Sequence, residues 1–206
     1  MLLNTRRWAH VALHPDDERE EQLRLTRRWI EAVTAAQGRV ENCIGSLVDA
    51  EVSCGNLQEA VRVGERALAE LAHARDGWAP MMIRSNVVLA LLAMDDAHRA
   101  RVLMEQVWPA ALRFDVVVLF ADSIALMAAL EGRPRAATLV AGYADAGYAG
   151  WSLIRHPNER AARARTEGIV SPVLGAAAFA RLLGDGGRLS RGEIERLAFA
   201  TADCDG

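Results

Sequence analysis

The chain has 206 residues, a formal net charge of −3 and a hydrophobic fraction of 51%. That is enough apolar material for one sizeable core, and the charge balance gives no basic footprint for nucleic acid. All 24 basic residues counted with lysine are in fact arginine, which excludes both a P-loop lysine on a nucleotide phosphate and a Schiff-base lysine.

In chain order, residues 1–14 read as a helix with Trp8, Val11 and Leu13 on its apolar side. The opening is too short and too charged to span a membrane, and it lacks a signal-cleavage pattern. Pro15-Asp16-Asp17 restarts the chain, and Asp17 with Glu20 has capping-box spacing. The next helix is expected to run to about Gln37, bury Leu25, Trp29, Ile30 and Val33, and stop at Gly38.

Three helical hairpins are expected next. The first pairs helices over 39–54 and 57–74. Val40, Ile44, Leu47 and Val48 form one stripe, Ala60, Ala67, Leu68 and Leu71 line the return, and Gly64 permits close approach. The second covers 80–113, with Ile83, Val87, Val88 and Leu91 facing Leu103, Val107 and Trp108. The third covers 116–146, with Phe120, Ile124 and Met127 facing Leu139 and Val140, and with Pro134 in a first helical turn. VVVLF at 116–120 is the one strand-like run, and its place at the start of a repeat helix overrules it. Gly142, Gly147 and Gly150 are then expected to loosen the chain. A long helix over 158–182 follows, then a turn at Gly184, Gly186 and Gly187. Ser190 and Glu193 cap a last short helix through Ile194, Leu197 and Ala198, ahead of a frayed TADCDG tail.

The hairpins share a signal. Turns at Gly55-Asn56, Asp95-Asp96 and Gly132-Arg133 are each followed five residues on by Ala60, Ala100 or Ala137, the copies lying 40 and 37 residues apart. A period of that size marks stacked two-helix units. Ala67 and Ala144 repeat at a second position, where the middle unit has Val107. These turns and alanines resemble the tetratricopeptide repeat. GRPRAATLVAG (132–142), ERAARAR (159–165) and LGAAAFARLLGDGGRLSRGEIERLAFA (174–200) are similar to the end of large bacterial signal-transduction ATPases that also carry winged-helix or LuxR-type DNA-binding domains. The residues carrying that likeness are Leu174, Gly175, Phe179, Gly187, Leu189, Ser190 and Glu193.

The expected fold is therefore all-α, a tetratricopeptide-like helical-hairpin solenoid (an α-α superhelix) with C-terminal capping helices. Its divisions are 1–38, N-terminal helices left from a preceding repeat; 39–147, three tetratricopeptide-like hairpins; and 148–206, a helical cap and frayed tail. The resemblance implies a non-catalytic protein-interaction or sensor arm of a bacterial transcriptional regulator, with ATPase and DNA-binding parts absent from this chain. It also implies a concave partner-binding face of Asn42, Asp49, Met82, Ser85, Leu89, Asp122 and Leu126. That face is either a groove for an amphipathic helix or a second copy of the chain, or is covered by neighbouring or terminal helices.

Other constellations point to structure rather than chemistry. Glu70 with His73, and Asp95 with His98, have metal-pair spacing but lack the further inward carboxylates that such a site needs. No serine sits in a nucleophile elbow, and the glycines at 184–187 lack a preceding strand. No metal, cofactor or catalytic residue is expected. His156 and Glu159 read as local helix capping, the arginines at 155–165 as a solvated face, and Trp29, Trp108 and Trp151 as packing between helices. Cys43 and Cys54, roughly 16 Å apart at 1.5 Å per residue, cannot bridge within one straight helix. With Cys204 they suit a reducing compartment, so the expected location is cytoplasmic. Expected partners are a protein or peptide, including other domains of a parent regulator, with no direct nucleic acid contact and no membrane. A homodimer is a further option. The alternative reading is a small-molecule-sensing helical domain with an apolar pocket, or a stand-alone scaffold.

Overall fold

A computed structural model describes residues 19–72 and 77–204, apart from the side chain of Asn42. The helix over 1–14, the restart at Pro15 and the cap at Asp17 lie outside these residues, as does His73. The described residues contain ten α-helices and one 3-10 turn, and no strand. The helices are α1 (Arg19–Ala35), α2 (Glu41–Ser53), α3 (Leu57–Glu70), α4 (Trp78–Ala93), α5 (Ala97–Arg113), α6 (Ala121–Leu130), α7 (Pro134–Gly150), α8 (Pro157–Leu174), α9 (Ala176–Gly186) and α10 (Arg191–Phe199). VVVLF enters α6 as a 3-10 turn over Val117–Phe120.

The three expected reversals share one chemistry. Gly55, Asp95 and Gly132 have φ of 78°, 64° and 74°, the left-handed conformation that turns a chain out of a helix. The next residue in each case donates its backbone N–H to a carbonyl five positions back. Asn56 reaches Glu51, Asp96 reaches Leu91 and Arg133 reaches Ala128, each at 2.9 Å. Orphaned carbonyls at the helix end are thereby satisfied. Ala60, Ala100 and Ala137 are all fully buried at the start of the return helix. Gly64 lets α3 approach α4, because a Cβ there would lie 2.2 Å from Val87 Cγ2.

The hairpins α2–α3, α4–α5 and α6–α7 pack side by side around an aliphatic core. Met81, Ile83, Val87, Leu91, Met104, Ile124 and Met127 are fully buried within it. Helix α1 packs on α2, burying Gln22, Leu23, Leu25 and Thr26. Trp29, Ile30 and Val33 are only half-buried. The left-handed residue after α1 is Gln37 (φ 53°), while Gly38 supplies the N–H that closes the turn onto Val33 O at 2.8 Å.

The C-terminal third departs further from expectation. Gly142 and Gly147 do not loosen the chain; they lie inside α7, which runs through to Gly150. The long helix over 158–182 is instead two helices, broken at Gly175 (φ 76°). Gly184 and Gly186 belong to α9. A Cβ on Gly142 would lie 2.1 Å from Leu183 O, and one on Gly186 would lie 2.0 Å from Leu139 O. The two glycines thus bring the backbones of α7 and α9 into direct contact.

Ser190 and Glu193 form the expected capping box on α10. The tail beyond is tied rather than frayed as far as Asp203, whose carboxylate accepts from the backbone N–H groups of Arg135 (3.1 Å) and Ala136 (2.9 Å). It supplies the N-terminal cap that the side chain of Arg133 does not provide for α7. Arg133 is itself buried and donates to Leu197 O (2.6 Å) and Ala198 O (3.2 Å) at the end of α10. Trp108 packs edge-on against Phe199, centroids 5.4 Å apart. No helix is long and apolar enough to cross a membrane among the described residues.

Candidate functional site

Helix α8 returns across the first helices of all three hairpins, touching α2, α4 and α6 as well as α7. Its position follows from directional bonds. Asn158 Nδ2 donates to Asp49 Oδ1 (2.7 Å) and Asp49 O (2.9 Å), and Ser53 Oγ donates to Asn158 Oδ1 (3.0 Å). Arg165 donates to Leu92 O at 2.7 Å and pairs with Asp95 in the second reversal. Arg155, just before the helix, pairs with Asp122 on α6 (2.7 Å) and Asp145 on α7 (2.6 Å), and its guanidinium lies 4.4 Å from the centre of the Tyr148 ring. Arg163 reaches Asp145 at 3.0 Å. These arginines are therefore not a solvated face but the fastenings of α8.

The concave-face residues are redistributed accordingly. Asp49, Met82, Ser85 and Leu89 line one cavity of about 390 Å³. Leu126 and Leu89 line a second hollow of about 310 Å³ under α8. Asp122 is fully buried and engaged with Arg155, so it is not available to a partner. The Asn42 side chain lies outside the described residues. The two expectations for this face divide it: α8 lies over Leu89 and Leu126, while Asp49, Met82 and Ser85 stay on the wall of the first cavity.

The larger cavity sits between α2, α4, the start of α6 and the loop into α8. Trp29, Trp78, Phe120 and Tyr148 bring rings to its wall, and Met82, Leu89 and Leu119 bring aliphatic surface. Its polar lining includes Ser85, Asn86, Ser123, Asp49, His156 and Glu159. Asn86 is held by donating to Gly45 O at 2.7 Å.

Glu159 is the exceptional group. It stands in the first turn of α8, where capping would have kept it at the surface, yet its Oε2 is buried and has no hydrogen-bond partner among the described residues. Burial, reinforced by the negative field of Asp49, pushes its carboxyl up to about 8. Asp122 adds to that field and Arg160 opposes it. Burial likewise pushes the Asp122 carboxyl above its ordinary value, against the opposing pull of Arg155. The Tyr148 phenol is pushed well up by burial, with Glu159 and Asp122 adding to it.

Of the three tryptophans assigned to packing, Trp108 is buried, Trp29 is half-buried on the cavity wall and Trp151 is exposed. Sequence reasoning missed Glu159, Asn86, Ser123 and Tyr148 as members of one site. The available signal was the presence of Ser85-Asn86 and Asp122-Ser123 inside otherwise apolar helices. Asp95 is paired with Arg165, and among the described residues no three His, Cys, Asp or Glu side chains group as a metal site. Compared with protein-family models, curated proteins and solved structures, the chain matches none.

Proposed function

We propose that the chain is a non-catalytic sensor domain that binds a small molecule in the cavity beneath the start of α8. The observation that carries this reading is the cavity itself, about 390 Å³ with aromatic walls and a few convergent polar groups. That size and lining suit a small-molecule site. The tetratricopeptide-like turns and alanines support a solenoid of three hairpins as the rigid frame. The likeness of 132–200 to the ends of bacterial signal-transduction ATPases supports its use as the sensor arm of a transcriptional regulator. In that role a ligand touching both α8 and the hairpins favours the docked position of α8, and differential affinity shifts the balance between arrangements.

A thermal-shift screen of the purified chain tests the reading. A true ligand raises Tm with concentration, each kcal/mol of stabilisation adding roughly 2–4 °C for a chain of this size. Met82→Trp, which fills the cavity from its wall, abolishes the shift while leaving the fold intact by circular dichroism. A shift unchanged in Met82→Trp would place the ligand elsewhere.

A second reading, docking of a protein partner, draws on the exposed apolar rim. Ile154 is 84% exposed, and Leu153, Trp151 and Trp78 stand exposed near it in the chain or on the cavity wall. Ile154→Asp abolishes partner capture or self-association under this reading and leaves the thermal shifts unchanged. Light scattering and the same screen separate the two.

A further inference from the structure

Ligand chemistry can be read from what the cavity wall offers and withholds. Glu41, Asp49 and Glu159 line it together with His156, and among the described residues no arginine does. Four aromatic rings stand on the same wall, from Trp29, Trp78, Phe120 and Tyr148. Two of the carboxylates have partners within the chain: Glu41 is paired with Arg39 at 2.7 Å, and Asp49 accepts from Asn158. Glu159 Oε2 is buried, and among the described residues no donor reaches it. An unsatisfied buried acceptor destabilises the fold, a cost that a ligand N–H would remove. Aromatic faces attract cations through the ring quadrupole and reject anions. The Arg155 guanidinium, which covers the Tyr148 ring at 4.4 Å, is already shared between Asp122 and Asp145, so the rings left to a ligand are those of Trp29, Trp78 and Phe120.

We propose that this cavity takes a small organic cation, a protonated amine on an apolar or aromatic body, with Glu159 as its counter-ion. The inference rests on the reading of the cavity as a ligand site and specifies the class of ligand. The ammonium donates to Glu159 Oε2, and the apolar body lies against Met82, Leu89 and the rings. The charged and titratable groups around Glu159 are Asp49 from α2, Asp122 from α6, Tyr148 from α7, Arg160 from its own helix and His156 at that helix's N-terminus. Asp122 is compensated by Arg155, so the negative field at Glu159 comes first from Asp49, which favours the cation.

Binding is therefore linked to a proton. Glu159 retains its proton up to about pH 8 and must release it to pair with an ammonium. Affinity for the amine rises with pH until about pH 8 and levels off above it, while an uncharged analogue shows no such rise.

The test is calorimetric titration of the full chain with three compounds of one shape: tryptamine, 3-ethylindole and indole-3-propionate. Tryptamine is expected to bind about tenfold or more tighter than indole-3-propionate, the factor typical of one charge-assisted hydrogen bond. Glu159→Gln abolishes that preference and retains binding of 3-ethylindole. Should the variant fold poorly, the wild-type chain still decides the question through its pH profile, and through proton release measured in buffers of different ionisation heat. Equal or tighter binding of the neutral or anionic compound, or an amine affinity flat with pH, overturns the cation inference and leaves the ligand-site reading standing. No binding by any of the three, nor any hit in the thermal-shift screen, overturns both.

Discussion

The hairpins α2–α7 and the returning segment α8–α10 are held by different forces. In the hairpins the contacts are aliphatic, and small residues sit where helices meet: Ala60, Ala100 and Ala137 are fully buried beside the reversals. In the returning segment buried Val170 and Ile194 are joined by polar, directional fastenings, with Asn158 on Asp49, Arg155 on Asp122, Arg165 on Leu92 O and Asp203 on the start of α7. Apolar burial is non-directional and tolerates exchange, whereas a buried ion pair fixes one position and is costly to break from one side. The first region supplies the frame, and the second chooses where the cavity closes.

The sharpest way to break this contrast is Arg155→Ala. It leaves the fully buried Asp122 without its cation, and removing one partner of a buried pair costs about 3–5 kcal/mol. Chemical denaturation should show a loss of that size, with the hairpin helicity largely kept. An effect within the noise would mean that α8 is not located by this pair. Gly142→Ala probes a place where the returning segment depends on close packing instead. The added Cβ meets the Leu183 carbonyl at 2.1 Å, and overpacking of this kind costs about 1–3 kcal/mol. A gain in stability, as expected of glycine to alanine in an open helix, would refute the close approach of α7 and α9. Asp203→Ala should cost about 1 kcal/mol, the usual worth of an N-terminal cap. Because that cap reaches α7 from the far end of the chain, its removal should speed amide exchange at both places.

The frame was legible in the sequence because its constraints are local. A left-handed residue is needed at each reversal, and glycine or aspartate stands there; a small residue is needed four or five positions on, and alanine stands there. The site was legible only in part. Asp49, Met82, Ser85 and Leu89 share a wall as their helical spacing suggests, but Asp122 and Leu126 are taken by α8. The place of α8 depends on pairs such as Asn158 with Asp49, 109 residues apart, which no periodicity encodes. Gly142 and Gly186 read as loop residues because their meaning lies in each other's helix. Glu159 reads as a cap because nothing near it in sequence announces that the chain folds over it.

The contact between α7 and α9 has a mechanical consequence. With peptide groups touching at Gly142 and Gly186, those two helices cannot slide or roll past one another without a steric clash. Gly175 is left as the left-handed joint between an immobilised α9 and the helix that roofs the cavity. Any rotation of α8 relative to α9 therefore falls on that residue, like a hatch whose hinge plate is bolted to the wall.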